Sequence, residues 1–355
     1  MGTPRLKLLI PLVAILLAIL GYCWIGRTDP SSIPVTDPGV HAQLVQTLTG
    51  HTQHVWEVAF SPDGGYLASG SVDGTVKLWR LPEGLLARTL TQPQGVTCLA
   101  WSADGRRLAT GSYDGMVRIW RAEDGGLERT LSGHAGTVWS VAYSPDAARL
   151  ASSGEDKTVK LWRVVDGAAE RTLTGHALNV WSVAFSPDGQ WLASGSFDRT
   201  AKLWRADTGE LKRTLTGHRE AIVELAFSPD STLLATGGDD ASVKLWRVSD
   251  GSLVNTLTGG SEHVYAVAFS PDGRWLASGS RENSALGTLW KQLAGNRLST
   301  GPGKNLRLWR VGDGSLQQAL AAQPGDIHSV AFSADGRWLA VSGDESAVGL
   351  WRLSE

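Results

Sequence analysis

A Leu-Trp-Arg or Ile-Trp-Arg triplet returns seven times along this chain, placing an indole at Trp79, Trp120, Trp162, Trp204, Trp246, Trp309 and Trp351. The intervals are 41, 42, 42, 42, 63 and 42 residues, so the long one is a repeat with 21 extra residues. A fixed period of this size means that one supersecondary unit is copied and that neighbouring copies share a core. No stretch remains for a second globular domain. The high counts of Trp (16) and Gly (42) in 355 residues follow from the repetition: one aromatic position and a few turn positions are used many times.

One unit shows what is copied. Val180 to Ser186 reads as a strand and Pro187-Asp188-Gly189 as a turn. Trp191 to Ser196 is a second strand, Ala201 to Arg205 a third and Leu211 to Leu215 a fourth, separated by Asp198-Arg199-Thr200 and Asp207-Thr208-Gly209. Short β-branched and aromatic runs between Gly, Pro and Asp clusters are hairpin signals. A four-stranded antiparallel sheet cannot bury both faces alone, but seven such sheets stacked radially can. The expected fold is all-β: a seven-bladed propeller of four-stranded antiparallel blades.

The pattern resembles the WD-repeat β-propeller family. Gly-His marks occur at Gly50-His51, Gly133-His134, Gly175-His176 and Gly217-His218. The likeness runs from Leu44 to Glu355, with one uniform departure: Arg, not Asp, follows the repeat Trp in all seven units. The resemblance implies a buried bracing network of His, Ser or Thr, Asp and Trp in each blade. By position these are His51, Ser69, Asp73 and Trp79; His134, Ser152, Asp156 and Trp162; His176, Ser194, Asp198 and Trp204; and His218, Thr236, Asp240 and Trp246. A Ser-His-Asp set also suggests catalysis, but four copies in register, each with an indole, point to bracing. The second unit keeps only Thr110, Asp114 and Trp120, and Gln92-Pro93 stands where the histidine would be. The sixth and seventh units are more degraded, with Glu345 at the last Asp position.

The last unit ends one strand short at Leu353-Ser354-Glu355, whereas Leu44-Val45-Gln46-Thr47-Leu48 matches the fourth strand of other units. The N-terminal strand is therefore expected to complete the final blade, removing two open sheet edges at once.

Ahead of it, Lys7 and Arg27 bracket 19 uncharged residues, Leu8 to Gly26, close to the roughly 20 that cross a bilayer as a helix. A cleaved signal peptide wants small residues before its cut, and no A-x-A follows the run. A lipid on Cys23 is disfavoured by the bulky Tyr22. A single uncleaved transmembrane helix over residues 1–26 fits best, with a Pro- and Ser-rich tether over 27–43. Arg5 and Lys7 put the N-terminus inside and the propeller on the extracytoplasmic side. With 33 Lys and Arg against 35 Asp and Glu, the net charge of −2 gives no electrostatic footprint for nucleic acid. Two cysteines, Cys23 in the apolar run and Cys98 in a strand, exclude a disulfide framework.

Four features mark where function could sit. Trp56, Trp139, Trp181 and Tyr265 share one position of the innermost strands, where the other blades carry Val223, Thr97 and His328. Tyr113 and Phe197 precede turn aspartates at the same end. These aromatics either anchor a partner on the rim or wedge between blades, because they share strand parity with core Val183 and Phe185. The insertion at 281–303 is expected to hold a helix from Ser284 to Ala294 with Leu286, Leu289, Trp290 and Leu293 on one face, as a docking element or a lid. A third feature is a ring of arginines, Arg80, Arg121, Arg163, Arg205, Arg247, Arg310 and Arg352. Glu83, Asp124, Asp166, Asp207, Asp250 and Asp313 follow and would pair with them locally. His54, His263 and His328 begin inner strands of blades that adjoin once the ring closes, but no metal, phosphate-loop or nucleophile motif accompanies them. The expected function is a non-catalytic, membrane-tethered protein-interaction scaffold, a single propeller without cofactor or metal that binds protein partners. The alternatives are a ligand-sensing or carbohydrate-binding propeller and a hydrolase or metalloenzyme at the channel mouth.

Overall fold

A computed structural model describes residues 39–259, 263–280, 305–322 and 325–354. These residues form seven four-stranded antiparallel sheets and no α-helix. Blade four runs Val180–Phe185, Trp191–Ser196, Thr200–Arg205 and Leu211–Thr216, from the innermost strand outward. The seventh sheet combines Ile327–Phe332, Trp338–Gly343 and Ala347–Ser354 with the N-terminal strand His41–Thr49. His41 lies opposite Ser354, Leu44 opposite Trp351 and Leu48 opposite Val348. The ring is thus closed by the chain's own N-terminal strand, which starts three residues earlier than the Leu44 match and takes His41 out of the tether.

The apolar core lies between blades. Ala68, Val76 and Leu78 of blade one pack with Val96, Leu99 and Trp120 of blade two, and the same arrangement recurs around the ring. At the closing junction Leu48 joins Val55, Val58, Leu67, Trp79, Ala340 and Val348, while Ala42 enters the core between blades six and seven. Leu44 and Val45 stay exposed beside an irregularity between Leu44 and Gln46. The glycine that follows Ser or Thr in five of the seven second strands has a packing cause. A Cβ on Gly195 would sit 2.8 Å from Ile222 of the next blade, and one on Gly70 would sit 2.7 Å from Val96.

The transmembrane helix expected over Leu8–Gly26 and the insertion, with Leu286, Leu289, Trp290 and Leu293, lie outside the described residues. Among the described residues no helix is long and apolar enough to cross a membrane.

Candidate functional site

The repeated polar residues meet inside the blades. In blade four the Trp204 indole N–H donates to Ser194 Oγ at 2.9 Å, Ser194 Oγ lies 2.8 Å from His176 Nε2, and His176 Nδ1 lies 2.9 Å from Asp198. The same chain joins His51, Ser69, Asp73 and Trp79; His134, Ser152, Asp156 and Trp162; and His218, Thr236, Asp240 and Trp246. The donors and acceptors set the tautomer. The hydroxyl oxygen accepts from the indole and its proton goes to Nε2, so Nδ1–H points at the carboxylate. Burial lowers the pKa of His51 and His134 and keeps them neutral. Burial pushes Asp198 up, but hydrogen bonds from His176, Thr200 and the Ala177 N–H outweigh it and hold the carboxyl well below the usual range. Each aspartate thereby ties the Gly-His loop to the turn between the second and third strands.

Such a hydroxyl is fully committed and buried, so the set is built to brace rather than to attack. His176→Ala should lower unfolding free energy by roughly 1–3 kcal/mol, because it strands buried polar groups. Chemical denaturation measures this, and a midpoint equal to wild type would refute it.

Blade two reaches the same end differently. Gln92 Oε1 accepts from Thr110 at 3.0 Å and Thr110 accepts from Trp120 at 3.0 Å, so the amide stands in for the histidine, while Asp114 pairs with Arg118. In blade six Trp309 donates to Ser278 at 2.8 Å. In blade seven Val341 occupies the hydroxyl position, opposite Val330 as Ser69 is opposite Val58, and the Trp351 indole N–H has no hydrogen-bond partner among the described residues.

The rim aromatics form one continuous arc. Each innermost strand bulges at the aromatic position: Val180 pairs with Ser196 and Ser182 with Gly195, leaving Trp181 as the extra residue. A bulge re-aims its side chain. Phe197 lies 5.4 Å from Trp181, Trp181 stacks on Trp139 at 4.8 Å and 10°, and Trp139 meets Tyr113 edge-on at 6.0 Å. The Trp56 N–H donates to Tyr113 Oη at 2.9 Å, Trp56 lies 4.3 Å from His328, and His328 lies 5.9 Å from Tyr265. Tyr113 fills the gap left by buried Thr97, and the arc breaks only at blade five, where Val223 is buried. Phe197 is exposed; Trp56, Tyr113, Trp139, Trp181 and Tyr265 are half-buried. The indole N–H groups of Trp139 and Trp181 have no acceptor among the described residues. The loops adjoin here, as the Phe197 N–H donates to the Asn179 carbonyl and the Tyr113 N–H to the Gly95 carbonyl.

Below the arc lies a feature the sequence reading did not single out. The next position of the inner strands is Glu57, Cys98, Ser140, Ser182, Glu224, Ala266 and Ser329 in blades one to seven. Ser329 donates to Glu57 at 3.0 Å and Ser182 to Glu224 at 2.6 Å, each from the preceding blade. Blades one and five are not neighbours, yet Glu224 repels charge on Glu57, so both carboxylates face the central channel. Burial, reinforced by that repulsion, raises Glu57 well above the usual range, and burial pushes Glu224 up to about 7. No cation occupies this ring of positions.

Four arginines of the opposite rim pair locally: Arg121 with Asp124 at 2.8 Å, Arg163 with Asp166 at 2.9 Å, and Arg205 with Asp207 and Arg247 with Asp250 at 3.5 Å each. Arg310 instead lies over Trp275 at 5.5 Å and donates to Gln317. Arg80 does not pair with Glu83. His54 and His328 both bond Asp344, through its carbonyl at 2.7 Å and its carboxylate at 2.8 Å, whereas His263 pairs with Asp239 at 3.0 Å. Among the described residues no group of three or more His, Cys, Asp or Glu could hold a metal ion.

The family model described as WD domain, G-beta repeat matches residues 42–80, 84–121, 125–163, 167–205, 209–247, 251–286 and 314–352. The chain belongs to the WD40 repeat family. Six of the seven matched WD40 units begin at the outer strand of one blade and end at the repeat Trp-Arg of the next, so they straddle the blades, and the match 251–286 stops short of Trp309-Arg310. The chain is similar to a WD repeat, SAM and U-box domain-containing protein 1 of Danio rerio, 45% identical over 69 residues, 19% of this chain and 13% of that protein. It is also similar to Protein Mut11 of Chlamydomonas reinhardtii, 48% identical over 60 residues, 17% of this chain and 16% of that protein. A third relative is the small ribosomal subunit protein RACK1 of Caenorhabditis elegans, 40% identical over 60 residues, 17% of this chain and 18% of that protein. The chain thus spans less than a fifth of the length of each.

Proposed function

We propose that this WD40 propeller is a non-catalytic protein-interaction scaffold whose partner sits on the aromatic rim. The observation that carries the reading is the unbroken arc from Phe197 through Trp181, Trp139, Tyr113 and Trp56 to His328 and Tyr265. Half-exposed aromatic rings, four of them at strand bulges, suit a partner surface offering apolar groups. The three Ser-His-Asp sets and the Thr-His-Asp set are consumed by bracing, which favours a scaffold over a hydrolase. The relatives share repeats rather than one activity: their names describe a U-box domain protein and a ribosomal subunit protein. The apolar segment Leu8–Gly26 supports a tethered scaffold, with the propeller on the extracytoplasmic face. The insertion at 281–303, with Trp290 on its apolar face, belongs to the same reading as a docking element at the same rim.

Affinity capture from membranes with the full chain, compared with Trp139→Ala/Trp181→Ala, tests this. Truncating two central aromatics should weaken capture of the recovered partner by roughly thirtyfold or more, about 2 kcal/mol. Unchanged capture by a variant with wild-type melting behaviour would overturn it.

A further inference from the structure

The rim opposite the aromatic arc carries a cleft of about 670 Å³ between blades one and two, within the size range of ligand sites. Its opening has two causes in the sequence. In blade two Arg107 pairs with Glu128 at 2.8 Å, and in blade three Arg149 pairs with Glu170 at 3.1 Å, filling the corresponding position. Blade one has Tyr66 and Ala87 there instead. Its first turn carries Gly65 where blade two has Arg106, and the nearest atoms to a Cβ on Gly65 would be those of Asp63, at 3.4 Å. The wall is cut back at two points, and half-buried Tyr66 and Trp101 line the space that results.

Five arginines line this space, Arg80, Arg88, Arg106, Arg107 and Arg121, against three acids, Asp63, Glu123 and Glu128. Arg107 and Arg121 have carboxylate partners, Glu128 and Asp124. Arg88 is held by the backbone carbonyls of Glu123 and Asp124, which leave its charge uncompensated. Arg80 and Arg106 form no ion pair among the described residues, and both are exposed on the cleft. An aromatic floor beneath more guanidinium groups than carboxylates selects an anion with an apolar body, because guanidinium groups bind phosphate and carboxylate in fork geometry.

We propose that this cleft binds an organic anion, with its phosphate or carboxylate between Arg80 and Arg106 and its aromatic or apolar body against Tyr66 and Trp101. The site is separate from the rim and does not depend on the scaffold reading.

Titration of the full chain with phenyl phosphate, followed by tryptophan fluorescence and calorimetry, tests it. Saturable binding is expected, weakened by roughly tenfold or more in Arg80→Ala/Arg106→Ala. Ala87→Glu, which returns a carboxylate to the wall, should weaken it similarly, and Trp139→Ala on the other rim should leave it unchanged. Melting temperatures equal to wild type keep these comparisons valid, since all three cleft positions are at the surface. No saturable binding by the wild type, undiminished binding by the double arginine variant, or equally tight binding of inorganic phosphate alone would each overturn the proposal.

Discussion

Removing residues 1–49 should lower the melting temperature by roughly 5–10 °C relative to removal of residues 1–38. Only the longer deletion takes away the outer strand of the seventh blade. That strand pairs from His41 to Thr49 along Ala347–Ser354 and places Leu48 in the core between blades seven and one. Losing a fully buried leucine costs about 2–5 kcal/mol, and the freed edge adds unpaired backbone groups. A total of ~5 kcal/mol corresponds to the stated shift for a chain of this size. A synthetic peptide spanning residues 39–50 should restore part of the loss when added in excess. Equal melting temperatures for the two truncations would show that the ring does not depend on this strand.

Glu57→Gln/Glu224→Gln should stabilise the propeller at pH 8 by about 2 kcal/mol or more and change little at pH 4. Both carboxyls are raised in the folded state, by burial and, for Glu57, by Glu224 across the channel. A group with a raised folded value contributes stability below its unfolded value, near 4.3. That contribution is lost as pH rises through the folded value, about 7 for Glu224. The brace aspartates act in the opposite sense. Asp198 and Asp240 are held low by their histidines and hydroxyl partners. They contribute stability above the usual carboxylate range and lose it as pH falls toward their depressed values. Wild-type stability should therefore peak between these limits, near pH 4, and the double glutamine variant should move the alkaline limb upward. Parallel pH–stability curves for the two proteins would contradict a charged pair in the channel.

Repetition made most of the fold legible before any coordinates. Seven indoles at a fixed period define the blades, and a missing last strand with a matching first one defines the closure. The brace residues were legible for the same reason, since His51, Ser69, Asp73 and Trp79 recur at constant offsets in three further units. Gln92 was harder to read because an amide does the work of an imidazole. Its distance of 18 residues to Thr110, equal to that from His51 to Ser69, is the signal that could have found it. The rim escaped a parity argument: counting Trp181, Val183 and Phe185 as one face ignores the bulge that makes Trp181 an extra residue. Glu57 and Glu224 break no local rule, because each is a single acid in an ordinary strand. Only closing the ring brings blades one and five across one channel, and only aligning that column shows two glutamates among small residues.

The most direct test of the scaffold account is oxidative footprinting of the indoles, with the full chain alone and bound to the partner recovered from membranes. Trp56, Trp139 and Trp181 should become several-fold less reactive in the complex, while buried Trp79, Trp162, Trp204 and Trp246 keep their low reactivity in both states. Rim tryptophans that react equally with and without the partner would contradict recognition at this surface.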